Sequence, residues 1–218
     1  MSSTNDETFV DGILDWYEDH GRHDLPWREP DATPFEVLVA ELMLQQTSAA
    51  QVRGVFEEFV AAYPSPGSLL AAPEGDVSEA IEPLGLRKRT TYFRRASAQL
   101  VARHAGDVPD SRSELLELHG VGEYTAASVL AHAFGRDVAA VDTNVARILA
   151  RVYGLGTGGE PSASENRELA ERLVPEGRAD DFVLAVIDFG AAVCAAPEPN
   201  CEACPVQGIC EHGESEDR

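Results

Sequence analysis

The 218-residue sequence reads as an all-α protein, and three observations carry that reading. Apolar residues recur at helical spacing near 52–62, 90–104, 123–134, 143–153, 163–174 and 180–194. Strict apolar/polar alternation over strand lengths is hard to find. Helix-start chemistry stands where such stretches begin: in Thr33-Pro34-Phe35-Glu36, Thr33 suits the N-cap, Pro34 the first helical position, and Glu36 closes a capping box.

Behind that start, Phe35, Leu38, Leu42 and Met43 make one core stripe. Ser111-Arg112-Ser113-Glu114 is a second candidate capping box, ahead of Leu115, Leu116 and Leu118. The two polar ends, 1–8 and 211–218, are expected to fray. No repeat of solenoid period is visible. The length suits one compact domain or two small lobes.

No apolar run approaches the ~18 residues of a membrane span. The opening MSSTNDETFVDG lacks both a basic and an apolar segment, so no secretory signal is expected and a cytoplasmic location is. The net charge of −21 argues against a nucleic-acid partner at face value. Lys88 is the only lysine, however, and acid in excess with almost no lysine points to a halophilic cytosol, with an ordinary acidic protein as the alternative. The positive charge is also unevenly placed. Residues 83–106 hold no Asp or Glu but carry Arg87, Lys88, Arg89, Arg94, Arg95 and Arg103. That stretch is either a phosphate-contacting face or a solvated helix face.

Four cysteines, Cys194, Cys201, Cys204 and Cys210, follow C-x6-C-x2-C-x5-C within 17 residues. In a cytoplasmic protein such a cluster reads as a metal site rather than as disulfides. Thiolate ligation suits zinc or an iron–sulfur cluster. Zinc sites usually come from two paired knuckles, and only Cys201 and Cys204 are closely paired here. One compact loop favours [4Fe–4S], with zinc as the alternative.

In Leu118-His119-Gly120-Val121-Gly122-Glu123-Tyr124-Thr125 a helix ends, two glycines two apart make a tight turn, and a new helix begins. Backbone N–H groups there suit a phosphate, although a plain interhelical turn would look similar. Asp142 in Val141-Asp142-Thr143-Asn144-Val145 stands 18 residues after Tyr124. It reads as an N-cap, a role that also holds a carboxylate rigid enough for catalysis. Glu41 sits in an otherwise apolar helix, which is costly unless it is partnered, lines a cleft or faces solvent.

Together Leu25-Pro26-Trp27-Arg28, Glu41-Leu42-Met43-Leu44-Gln45-Gln46-Thr47, Gly120-Val121-Gly122-Glu123-Tyr124-Thr125, Val141-Asp142-Thr143-Asn144-Val145 and the cysteine loop resemble the endonuclease III superfamily of helix-hairpin-helix DNA glycosylases over nearly all of residues 14–211. The resemblance implies a six-helix domain at 28–136 containing the hairpin, and a [4Fe–4S] cluster domain formed by 1–27 and 137–218. An active-site cleft would lie between these two helical lobes. It further implies a monomer acting on mismatch-containing double-stranded DNA, with Asp142 catalytic and Tyr124, Gln45, Gln46, Gly120, Gly122 and Thr125 meeting substrate or DNA; Arg87, Lys88 and Arg89 are expected DNA contacts from their charge.

Within the superfamily, L-P-W-R and E-x-M-L-Q-Q-T look most like the adenine glycosylases that act opposite guanine or 8-oxoguanine. In that branch the residue matching Glu41 protonates adenine, and those matching Gln45 and Gln46 probe the duplex around the flipped base. The archaeal thymine–guanine mismatch glycosylases are similar too, notably through the tyrosine at Tyr124, and they set the alternative expectation of thymine or uracil removal. Three departures stand out: His119 replaces the proline common before the hairpin glycines, Leu84-Gly85-Leu86-Arg87 lacks a G-Y-Y run, and the chain ends before an 8-oxoguanine-reading domain would begin.

The expected chemistry follows from base flipping. A carboxylate at Asp142 stabilises a sugar with oxocarbenium character and directs water. Adenine leaves poorly unless protonated, a task for Glu41, whereas thymine leaves more readily as an anion. Tyrosine cannot form the imine that strand-cutting relatives use, and Lys88 lies elsewhere, so a monofunctional enzyme is expected. Two readings from other classes are a non-catalytic iron–sulfur DNA-binding protein and a zinc-stabilised interaction domain.

Overall fold

The computed structural model describes residues 3–85, 90–155 and 162–216. Among the described residues the secondary structure is helical throughout, with twelve α-helices and no strand. None of these helices is long and apolar enough to cross a membrane. The chain divides into two compact units, one formed by Met1–Arg22 with Gly135–Arg218 and the other by His23–Phe134.

The His23–Phe134 unit is built around α2 (Pro34–Leu44). Its start forms as the sequence predicts: the Thr33 side chain accepts from the Glu36 amide, the Glu36 carboxylate accepts from the Thr33 amide at 2.6 Å, and Pro34 opens the helix. Residues 35 and 37–43 are all buried, so α2 is enclosed rather than amphipathic. It packs against α3 (Ala49–Ala62), α6 (Thr90–His104) and α8 (Glu123–Phe134). Helix α8 is itself buried from Thr125 to Ala131. Short helices α4 (Pro66–Ala71), α5 (Glu74–Ala80) and α7 (Arg112–Glu117) complete the unit. Trp27, from the L-P-W-R segment, meets Phe56 edge-to-face at 5.3 Å. The second expected capping box does not form: Ser111 makes no side-chain cap bond, and its hydroxyl pairs with that of Ser113 at 3.0 Å instead.

The other unit gathers α1 (Ser3–His20), α9 (Thr143–Tyr153), α10 (Ala163–Leu173), α11 (Ala179–Ala192) and α12 (Glu211–Glu216). Phe9, Ile13, Ile148, Leu149, Phe182 and Phe189 form its core. Each such side chain contributes about 1.5–3 kcal/mol when removed from water. The described residues 3–8 and 211–216 are helical and correct the expectation of fraying there; residues 1–2 and 217–218 lie outside the described residues. Residues 3–8 continue helix α1, because Phe9 meets Tyr153 and Phe182 edge-to-face and Asp6 pairs with Arg172 at 2.9 Å. Glu211 starts α12 with its carboxylate against Gly154, where an added Cβ would lie 1.9 Å from Oε2. Gly154 holds φ +63 at the end of α9, a conformation that favours glycine there.

An ion pair between half-buried Arg22, just after α1, and buried Asp188 of α11 ties the two helices. Asp188 is 2% exposed and accepts from the Arg22 backbone amide (2.8 Å), from Nε (2.9 Å) and from Nη2. Two side-chain donors in fork geometry, plus a backbone donor, leave the carboxylate well satisfied in its buried position.

Candidate active site and DNA-binding elements

Asp142 precedes α9 in extended conformation, and its carboxylate collects the first donors of that helix. Oδ1 accepts from the amides of Asn144 and Val145, both at 2.8 Å, and Oδ2 accepts from Asn144 Nδ2 at 2.7 Å. A half-buried carboxylate with three donors cannot rotate freely. The other end of Asn144 is held too, its Oδ1 accepting from Arg147 Nη1 at 2.9 Å. Arg147 Nη2 then donates to the carbonyls of Gly190 (2.9 Å) and Cys194 (3.1 Å), and Nε reaches the same Cys194 carbonyl at 3.2 Å. One continuous run of hydrogen bonds therefore links Asp142 to the first cysteine.

One turn further along α9, Arg151 Nη1 donates to the Ala195 carbonyl (2.7 Å) and lies 3.5 Å from Cys194 Sγ. The Cys210 thiol donates to the Arg151 carbonyl at 3.5 Å. Cys194 and Cys210 are buried, Cys201 and Cys204 half-buried, and no disulfide joins them. Burial pushes the Cys204 thiol up to about 11, and the nearby Cys210, Cys194 and Cys201 add to the rise, while a bond from the Val206 backbone opposes it. Cys204 is thus close enough to feel all three other cysteines. Among the described residues no three metal-binding side chains converge closely enough to hold an ion. The neighbourhood of four thiols is present without a closed coordination geometry.

Glu41 lies on α2 in the other unit, 7% exposed, which removes the solvent-facing alternative. Ser128 Oγ, from the middle of buried α8, donates to Glu41 Oε1 at 2.8 Å. A polar residue from each of two enclosed helices meets its counterpart, and that contact makes the burial tolerable.

Helix α2 ends at the hairpin. Gln45 Nε2 donates to the Gly120 carbonyl at 2.9 Å, and Gln46 is exposed with φ +58, an uncommon conformation for a non-glycine residue. Residues 118–122 form a tight turn closed by the Val121 amide donating to the Leu118 carbonyl at 3.1 Å. Gln99 of α6 braces it, donating to the Glu117 carbonyl (2.7 Å) and accepting from the His119 amide (2.7 Å). A proline at 119 would have no N–H for that bond. The two glycines differ. Gly120 needs its φ of +89, and its face lies against the Tyr92 ring, 2.9 Å from where a Cβ would stand. An added Cβ on Gly122 would meet nothing within 4 Å. Tyr124 is half-buried in the first turn of α8, and Thr125 beside it is buried. Arg87, Lys88 and Arg89 lie outside the described residues; of the neighbouring cations, Arg94 donates to the Ala72 carbonyl at 2.8 Å.

Sequence reasoning missed Ser128, Gln99, Asn144 and Arg147. A serine alone in an apolar helix, matched to a glutamate alone in another, was the available signal for the first. Asn144 and Arg147 are three apart on one helix face and both look like ordinary surface residues until their partners are known.

The arrangement defines an all-helical protein with a hairpin suited to a phosphate and a rigidly capped carboxylate. A model of the HhH-GPD superfamily base excision DNA repair proteins matches residues 39–176. The chain belongs to that superfamily. It is 38% identical to the thymine/uracil-DNA glycosylase of Pyrobaculum aerophilum over 91% of this chain and 88% of the relative. It is also 38% identical to the adenine DNA glycosylase of Mycobacterium tuberculosis over 89% of this chain and 64% of that protein. Among solved structures, a thermostable thymine-DNA glycosylase superposes with a TM-score of 0.91 at 32% identity, covering 97% of this chain and 98% of the other. An endonuclease III in complex with DNA superposes with a TM-score of 0.86 at 28% identity over 100% and 99%. Family and relatives together support a DNA glycosylase of base excision repair.

Proposed function

We propose that the protein is a monofunctional DNA glycosylase that hydrolyses the N-glycosidic bond of adenine mispaired with guanine or 8-oxoguanine. The observation that carries the choice of base is the buried Glu41 carboxyl, oriented by Ser128 within an apolar wall. Adenine is a poor leaving group until protonated, and a carboxyl in an apolar setting is suited to deliver that proton. The C1′–N9 bond then breaks with its electron pair going to the neutral base, and the sugar becomes cationic. The Asp142 carboxylate, fixed by three donors, stabilises that cation and takes a proton from the water that adds to C1′.

Cys194, Cys201, Cys204 and Cys210 would hold a [4Fe–4S] cluster, whose chemistry here is to cross-link the C-terminal segment. The donor set suits it: four thiols gathered in one loop, at least one unable to ionise readily without a cation among them. Hairpin residues 118–122 would hold a backbone phosphate, aided by Arg87, Lys88 and Arg89, with Gln45, Gln46, Tyr124 and Thr125 nearest the flipped nucleotide. Tyrosine at 124 provides no amine for an imine, so strand cleavage would not accompany base removal.

Thymine or uracil removal from guanine mispairs is the second reading. The end-to-end match to archaeal thymine glycosylases favours it, at 38% and 37% identity over 88% and 91% of those relatives. A single-turnover assay in high salt on A:G, A:8-oxoG, T:G and U:G duplexes separates the two. Adenine release from the first pair, with nicks appearing only after hot alkali, is expected. Release confined to T:G and U:G would replace the adenine reading, and efficient borohydride trapping would overturn the monofunctional one.

A further inference from the structure

The hairpin is bracketed by two acidic residues, and each is met by an arginine. Glu117 ends α7 and accepts from Arg103 of α6 at 3.0 Å. Glu123 opens α8, and Arg112, the first residue of α7, donates to its Oε2 through Nε at 3.0 Å and through Nη2. Both side chains of the second pair are open to water, Arg112 41% and Glu123 53% exposed. Exposed pairs of this kind contribute little to stability. A carboxylate in the first turn of a helix suits the helix dipole, but next to a phosphate site it repels the ligand. Immediately before it stands Gly122, exposed, where a methyl group would find only open space. The fold makes no demand for a bare backbone at Gly122, whereas an approaching phosphate would.

We propose that Arg112 makes this hairpin fit to take a DNA phosphate by cancelling the charge of Glu123. The inference rests on the reading that residues 118–122 bind the DNA backbone. Arg112 is then a positioning residue for DNA affinity: it acts through Glu123, and its worth disappears once that charge is gone. In a chain of net charge −21, a hairpin whose exit carboxylate has lost the Arg112 guanidinium would lose much of its attraction for DNA.

The experiment is a double-mutant cycle on the full-length protein, read by fluorescence anisotropy. The probe is a duplex carrying a tetrahydrofuran abasic analogue, with a matched duplex as control, across a salt series. R112A is expected to raise Kd about tenfold on both duplexes, as suits loss of one screened charge near a phosphate. E123Q alone should leave Kd unchanged or lower it. R112A/E123Q should return to within about twofold of the unmodified protein, a rescue that a merely structural role for Arg112 would not produce. Wild-type affinity in R112A would overturn the proposal, and so would a loss that E123Q does not rescue, which would mean that the guanidinium meets DNA itself. Gly122→Ala separates this inference from the reading beneath it, because the methyl fits the fold and would obstruct only a ligand. If G122A binds DNA normally, the hairpin reading fails. If G122A binds weakly while R112A binds normally, only the present inference fails.

Discussion

Asp142 and Glu41 belong to different units of the chain, and their surroundings suit them to opposite tasks. Asp142 is half-buried at a helix start, its two oxygens taken by two amides and the Asn144 side chain. Glu41 is buried in the middle of an enclosed helix and receives a hydroxyl from Ser128. The first is fixed by three donors at the head of a helix, the second by one hydroxyl between two enclosed helices. The pair teaches that residue type alone does not assign acid and charge-stabilising roles; the count and kind of neighbours does.

The largest expected effect tests the first half of that contrast. Asp142→Asn keeps the size of the side chain and much of its capping ability while removing the charge required as the sugar becomes cationic. Single-turnover base removal should fall by about 10²-fold or more, with mismatch binding nearly intact. A wild-type rate would reduce Asp142 to a helix cap. For the second half, Glu41→Gln keeps the shape and a partner for Ser128 but cannot supply a proton. Adenine release should drop by roughly 10²-fold. If the variant protein keeps its adenine activity, the acid role is wrong and the leaving group needs no such help.

The link from Asp142 to the cysteine loop gives a smaller and more diagnostic effect. Arg147→Lys preserves the charge but cannot bridge Asn144, Gly190 and Cys194 at once. A loss of about tenfold in single-turnover rate, with unchanged KM and melting temperature, is expected if the run of bonds merely aims the carboxylate. An effect confined to thermal stability would show that the run is scaffolding. Cys204→Ala probes the same loop from its far side. Melting temperature, iron content and DNA affinity should fall together, while duplex discrimination in whatever protein remains folded is unaltered. An unchanged melting curve with full iron content would contradict the ligand assignment.

Much of this was legible in the residue order. The helix borders at 90–104, 123–134 and 143–153 coincide with those read from periodicity, because amphipathic spacing and caps act over a few residues and need no partner to be recognised. The Thr33 box likewise depends on contacts within four residues. The Ser111 box failed in spite of the same pattern, since Ser113 competes for the hydroxyl. Residues 3–8 and 211–216 were misread as frayed because polar composition says nothing of Phe9 or Glu211 finding partners more than fifty residues away.

Spacing and residue type by themselves determined that four cysteines share a loop, that a glycine hairpin opens α8 and that Asp142 caps α9. All three are local: each is settled within a few residues along the chain, where covalent geometry limits the choices. Only the tertiary structure decided that Glu41 faces Ser128 rather than water, that Gln45 and Gln99 hold the hairpin, and that Asn144 and Arg147 join Asp142 to Cys194. Those pairings couple residues as far apart as 87 positions. They depend on which faces the packed helices present to one another, a property of the folded whole that no local pattern encodes.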